Sequence, residues 1–511
     1  MACLIGEIDS KPGKNCVDRL DPSESPAPVH AKSAICQLHQ SFDMVAVQLA
    51  GCRQFLEFFS HKVSYRWHPQ RGMSLLKIVS AQKPREITMD ALGRRAGGEF
   101  IDAVLEEALR NARLSPEDRR LCLELVYGIV RWQLTLDWLV ARKTNGLQKP
   151  GLQNLLRLGL YQIFWLDRIP NHAAVHETVE LAKTRGFGPQ AGFVNAILRG
   201  YLREFEATKQ ELVDLKDKHP HLGYSHPEWL VQRWEKKWGR PQTKQLLEWN
   251  NTPPKTFARV NTLKTDPGRL LTQWREENVD YDFIRGDWLD ENLVFELKSH
   301  PPLEVLPSFK QGLFYVQDPS TLLAVRELHP HPGEAVLDLC AAPGGKLTYA
   351  AQLMQNEGRL VAHDTNAERL KLVQENCTRL GITCVQTVSP PELTQMVAEK
   401  SSGLFDRVLI DAPCSNTGVM RRRVDLRWRI RPEEIERLGR TQLDLLKTAV
   451  ALVKPQGSIV YSTCSLEPEE NGQPVADLLQ SYRELRLETE RELHPFADGV
   501  DGAYVATLKR I

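Results

Sequence analysis

Residues 333–346 read GEAVLDLCAAPGGK. Ala335 to Leu339 is a short apolar run of strand type, Pro343, Gly344 and Gly345 break it, and Lys346 to Met354 reads as helix. Strand, glycine-rich turn and helix in that order open a Rossmann-like unit. Glycines let the backbone approach a ligand, and the free N–H groups at a helix start favour anionic or carbonyl-rich partners. The spacing is not GxGxxG, so by itself it fits plain architecture as well as a cofactor loop.

Downstream of this turn, strands and helices alternate. Arg359 to His363, Val408 to Asp411 and Ser458 to Ser462 read as strands, with helices over Glu368 to Leu380 and Arg437 to Val453. Such alternation predicts a doubly wound parallel sheet over 331–511. Asp364 closes the second strand, where an acidic side chain can hold ribose hydroxyls.

Upstream the texture changes. From Gly98 to about Glu204 apolar residues recur at helical spacing, as in Leu152, Leu155, Leu156, Gly159, Leu160 and Ile163, and Ser115-Pro116-Glu117-Asp118 is a helix start. This predicts an all-α domain over 86–210, followed by a Trp-rich helical connector over 211–250. Pro253-Pro254 opens a small α+β subdomain over 251–330. Residues 1–85 carry no periodic element that continues into the rest, and read as a disordered extension or as sequence upstream of the true start.

A chain of 511 residues needs two to four cores. Its 66 Lys plus Arg against 65 Asp plus Glu exclude a polycation, so nucleic-acid binding has to come from local patches. The ten cysteines form no CxxC pair and no zinc-finger spacing, which argues against a structural metal. No signal peptide or membrane span is apparent, so a cytoplasmic location with reduced thiols is expected.

The chemistry lies in Asp411-Ala412-Pro413-Cys414 and Ser462-Thr463-Cys464-Ser465. Both follow apolar strand runs, and neighbouring parallel strands end on the same side as the cofactor crevice, so the two thiols are expected to face one pocket. The order CAAPGGK, DAPCSNTG, STCS and EPEEN resembles the S-adenosylmethionine-dependent RNA cytosine-C5 methyltransferase family, and RIPNHAAVHETVELAK with GFVNAILR is similar to the NusB-like domain of its bacterial RsmB (Sun, Fmu) branch.

The resemblance covers about Gly98 to Ile511. It implies a NusB-like RNA-binding domain, an RRM-like subdomain and a methyltransferase domain, with S-adenosylmethionine as cofactor, small-subunit ribosomal RNA as substrate, and a monomer with no membrane or metal partner. It assigns the attack on cytosine carbon 6 to Cys464, release to Cys414, and the ring nitrogen to Asp411. Cofactor contacts carry over to Cys340, Ala341, Ala342, Pro343, Gly344, Gly345 and Lys346, to Asp364, and to Asp411.

Two positions depart from the family pattern. Val385 to Pro391 lacks the usual acid near the adenine, and Arg423-Val424 stands where His-Pro is usual. The basic run around Arg421, Arg422, Arg423 and Arg427 is expected to meet RNA phosphates, although a solvated charged face is the ordinary meaning of such a run. Three other functions fit parts of the pattern: a transfer-RNA cytosine-C5 methyltransferase, a catalytically idle RNA-binding factor, and a DNA-type enzyme with its nucleophile in the Pro-Cys motif.

Overall fold

The computed structural model describes residues 83–146, 148–398 and 403–511. The expected extension over 1–85 thus falls almost entirely outside the described residues.

The helical domain is built by Pro84–Ala96, Ile101–Asn111, Pro116–Arg131, Gln133–Lys143, Pro150–Trp165, Asn171–Thr184 and Ala191–Arg203. Ser115 caps its helix as the sequence predicts, accepting the Asp118 N–H at 3.1 Å. The apolar stripes meet in one core, where Leu125, Leu155, Leu156 and Leu198 are fully buried. A Cβ at Gly159 would lie 2.6 Å from Leu198, so glycine is what lets those two helices approach.

The connector is a packed layer. Helices Glu228–Trp238 and Arg240–Asn251 bury Leu230, Trp234, Leu246 and Leu247 against Met420, Ile430, Ile435 and Leu466 of the C-terminal domain. The small subdomain is an antiparallel sheet of order β2-β3-β1-β4, with β1 Thr256–Val260, β2 Asp280–Phe283, β3 Val294–Ser299 and β4 Phe314–Val316. Helix Pro267–Glu276 covers it and drives Trp274 edge-on into Phe295 and Phe314.

The C-terminal sheet has the order β10-β11-β9-β8-β5-β6-β7. Its strands are β5 Ala335–Asp338, β6 Arg359–His363, β7 Val385–Val388, β8 Phe405–Asp411, β9 Val453–Thr463, β10 Leu485–Leu493 and β11 Ala503–Arg510. The five from β9 to β7 are parallel, but β11 runs antiparallel to both β9 and β10. The expected parallel, doubly wound sheet is present from β9 to β7, and β11 makes the whole sheet mixed. The segment 494–502, with the helical turn Pro495–Asp498, leads directly from β10 back along its neighbour β11, without the long crossover that a parallel pair needs. Strand order reverses between β5 and β8, which opens a crevice beyond their C-terminal ends.

Candidate active site at the strand ends

Four strand ends line the crevice. In register, Asp338 ends β5 beside Ala362 of β6 and Leu409 of β8, and Asp411 ends β8 opposite Ser462 of β9. Cys414 and Cys464 lie just beyond, with their sulfurs 3.3 Å apart. The Cys414 thiol is pushed well above its usual range, first by its hydrogen bond to Cys464 and then by burial, so it keeps its proton and donates toward Cys464. Asn416, held in the left-handed region at φ 59°, donates to the Cys414 carbonyl at 2.6 Å and accepts from the Cys464 thiol at 3.1 Å through Oδ1.

Lys346 supplies the positive charge. Its Nζ sits 2.6 Å from Asp411 Oδ2; burial opposes the ammonium, but Asp411 and then Cys464 hold its pKa above the ordinary lysine value. Ser462 Oγ donates to the other oxygen of Asp411 at 3.2 Å, fixing that carboxylate at the crevice wall.

The glycine-rich turn behaves as a cradle. Gly344 has φ 101°, a region closed to most side chains, and the helix Gly345–Leu353 starts immediately after it. Ala342 and Pro343 carbonyls accept from Arg369 and Asn376 at 2.9 and 3.0 Å, which ties the loop to helix Ala367–Leu380. Asp364 is almost fully buried, accepts the Asn366 N–H at 3.1 Å and lies 3.4 Å from Arg369. Asp338 Oδ2 and His363 Nε2 are buried without a partner among the described residues, as in a polar site completed by a ligand. Burial, then Asp411, pushes the Asp338 carboxyl up to about 8. Burial and then three nearby acids push the Cys340 thiol well above its usual range.

Three contributors gave no clear signal in the sequence. Arg259 on β1 is fully buried and reaches the Gly345 carbonyl at 2.8 Å and Thr348 Oγ1 at 2.9 Å, between the rings of Tyr315 and Tyr349. Asn416 and Glu470 are the others; both lie inside the quoted motifs, and only their partners reveal a role. After β7, Ser389 N–H and Oγ–H both bind Glu392, which caps helix Pro390–Ala398, so the one acid near that strand end is turned to its own helix.

The basic run is corrected by its surroundings. Arg421 is 2% exposed, donates to Asp501 Oδ1 at 2.5 Å and stacks 4.0 Å from the Trp249 ring. Arg422 spans Asp501 at 2.5 Å, Asp318 at 2.7 Å and the Lys255 carbonyl at 3.0 Å. Arg427 is fully buried and donates to the carbonyls of Arg131, Ser225 and Asn250 and to Asn251 Oδ1. Arg423 pairs with Asp102 at 3.8 Å. In place of the phosphate contacts expected of them, Arg421 and Arg427 bind protein acceptors at the seam between the helical domain, the connector and the sheet. The planar guanidinium fork suits converging carbonyls and carboxylates.

The strand order, switch-point crevice and glycine turn, together with the family model and relatives that match the chain, place it among methyltransferases of the S-adenosylmethionine-dependent class. Within that class the chain belongs to the 16S rRNA methyltransferase RsmB/F family, whose model matches residues 325–509, while NusB-family and RsmF/B-like ferredoxin-like models match 82–203 and 226–296. The protein of Synechocystis sp. named "Probable ribosomal RNA small subunit methyltransferase B" is 37% identical over 418 residues, spanning 80% of this chain and 91% of its own. The solved structure of a methyltransferase homolog protein from Pyrococcus horikoshii is 29% identical, with TM-score 0.50 over 57% of this chain and 97% of that one. The crystal structure of PH0851 shares the fold, with TM-score 0.67 at 24% identity over 84% of this chain and all of that one. Among the described residues, no helix is long and apolar enough to cross a membrane, and no group of three or more His, Cys, Asp or Glu is placed to hold a metal ion.

Proposed function

We propose that the chain methylates carbon 5 of a cytosine in small-subunit (16S) ribosomal RNA through a covalent bond between Cys464 and cytosine carbon 6. The observation that carries this reading is the pair of sulfurs 3.3 Å apart at the switch-point crevice, one holding its proton and the other beside Lys346.

The Cys464 thiolate adds to carbon 6, and the displaced electron pair makes carbon 5 nucleophilic. Asp411, oriented by Lys346 and Ser462, is assigned to the ring nitrogen, to which it donates once its carboxyl carries a proton, and that hydrogen bond makes the ring a better acceptor. When bound, S-adenosylmethionine would supply the electrophilic methyl group to carbon 5, its sulfonium carbon–sulfur bond breaking to leave the neutral thioether. Residues Cys340 to Lys346 cradle it, Asp364 takes the ribose, and the orphaned oxygen of Asp338 is matched to its polar end. A base then removes the carbon 5 proton, the double bond re-forms, and the carbon 6–sulfur bond breaks with its electrons returning to Cys464. The Cys414 thiol stabilises that departing sulfur by hydrogen bonding. The helical domain over 86–210 presents the RNA.

The test is methyl transfer from labelled cofactor to small-subunit RNA, with the product mapped by bisulfite sequencing. One protected cytosine is expected. Label on transfer RNA alone, or on none, overturns the substrate assignment.

A further inference from the structure

Glu470 is fully buried between the two cysteine loops, and no step of methyl transfer uses it. Its Oε1 accepts the Ser415 N–H at 2.7 Å and faces Gln442 Nε2 at 3.4 Å; its Oε2 accepts the Ser465 hydroxyl at 2.5 Å and the Ser415 hydroxyl as well. Gln442 also donates to the Pro413 carbonyl at 2.9 Å. Ser415 follows Cys414 and Ser465 follows Cys464, and the two hydroxyls lie 3.2 Å apart. One carboxylate is therefore the shared acceptor for the residues that follow both thiols. Its own backbone is held in turn, since Tyr461 donates its hydroxyl to the Glu470 carbonyl at 2.5 Å. The neighbouring Glu467 binds Arg233 and, at 3.1 Å, Trp234 Nε1, which anchors the same loop to the connector.

We infer that Glu470 is a positioning residue that sets the separation of Cys414 and Cys464 by clamping the residue after each. The inference rests on the two-thiol reading of the site. Burying a carboxyl is costly unless its hydrogen bonds are met, and burial pushes this one up to about 7. The clamp accounts for keeping it there: a shift of a few tenths of an ångström between two loops alters the geometry of the attacking sulfur, to which rates are steeply sensitive.

The acceptor pattern separates positioning from proton transfer. Oε1 faces only N–H donors, whereas Oε2 faces two hydroxyls that can donate or accept. A glutamine fits this pattern, with its oxygen toward the N–H groups and its NH2 toward the hydroxyls. Aspartate is one methylene short, and alanine removes the clamp.

The experiment uses full-length protein and two readouts. The first, without RNA or cofactor, is the yield of Cys414–Cys464 peptides bridged by dibromobimane, measured by mass spectrometry with Cys464→Ser as blank. The second is kcat and KM for methyl transfer. Glu470→Ala and Glu470→Asp are expected to lower both bridging and kcat by about tenfold, with KM for the cofactor unchanged. Glu470→Gln restores both to within about threefold. Ser465→Ala, which deletes one arm, lowers bridging by about threefold and serves where Glu470→Ala does not fold. Wild-type bridging in Glu470→Ala or in Ser465→Ala overturns the clamp. Intact bridging in a Glu470→Gln protein as inactive as Glu470→Ala also overturns it, in favour of an acid–base role. Because bridging needs no RNA, a failure of the proposed methyl transfer remains distinguishable from a failure of the clamp.

Discussion

Residues 411–416 hold a single acidic side chain and face the crevice, whereas residues 421–431, a few positions on, hold six arginines and turn Arg421 and Arg427 inward. By composition alone the second stretch is the nucleic-acid surface. The structure reverses this because acceptors far away in sequence converge on it: Asp102 and Arg131 from the helical domain, Ser225 and Asn250 from the connector, Asp318 from the segment after β4 and Asp501 from the loop between β10 and β11. Asp425 adds a tie of its own, accepting from Arg95 at 2.6 Å and from the Ile101 N–H at 3.2 Å. Charge density says how many contacts a segment will make. Where they are made depends on what the rest of the chain offers.

The sharpest way to break this contrast is to remove the shared acceptor. Asp501→Ala leaves Arg421 buried without its carboxylate and is expected to destabilise the fold by about 3–5 kcal/mol, seen as a large drop in thermal midpoint. An unchanged midpoint would return the arginines to the surface. Acid sharpens the same point. Burial opposes the charge of Asp501, but Arg422 and Arg421 hold its carboxyl down to about 2, below the value of about 4 expected when unfolded. A depressed folded pKa gives stability that is present above about pH 4 and lost as pH falls toward 2, so the urea midpoints of wild type and Asp501→Asn converge over that window. Asp318, pushed up by burial and by Asp501, takes the first proton.

A smaller effect belongs to the crevice. Asp364→Ala should weaken cofactor binding by about 1.5–3 kcal/mol, the worth of charge-assisted hydrogen bonds, while RNA affinity is unchanged. Titration calorimetry checks this, and a wild-type cofactor curve would make Asp364 a strand-end partner of Arg369 only. The smallest expected effect is on salt dependence. Arg422→Ala, assayed where it is folded, should keep the wild-type slope of log affinity against log salt, whereas a lost phosphate contact would reduce that slope by about 0.7 to 0.9.

Much of the fold was legible because its signals are local. The run AVLDL, the turn at Pro343 to Gly345 and the alternating pattern after it placed β5, β6, β8 and β9 and their helices, and helical spacing gave the N-terminal domain. The antiparallel end of the sheet was legible only in part: DGAYVATLKR at 501–510 resembles the family's last strands and falls on β11, whereas β10, LRLETEREL, is rich in charge at the sheet edge and was not placed. The cysteine pair was legible because motif order and strand ends put both thiols on one side. Glu470 was not, since an acid in EPEEN looks solvated until Ser415, 55 residues upstream, is seen to donate to it. Arg259 was hidden for the same reason, its acceptors Gly345 and Thr348 belonging to another domain.

The central claim is that Cys464 forms the bond to RNA and Cys414 lets it go. Its most direct test is denaturing electrophoresis of Cys414→Ala, Cys464→Ala and the double variant, each incubated with cofactor and target RNA. Cys414→Ala should accumulate a protein–RNA adduct that requires the target RNA and disappears when Cys464 is also replaced; Cys464→Ala should bind RNA, form no adduct and transfer no methyl group. An adduct that persists in Cys464→Ala and vanishes in Cys414→Ala would contradict the account and move the nucleophile to the Pro-Cys motif.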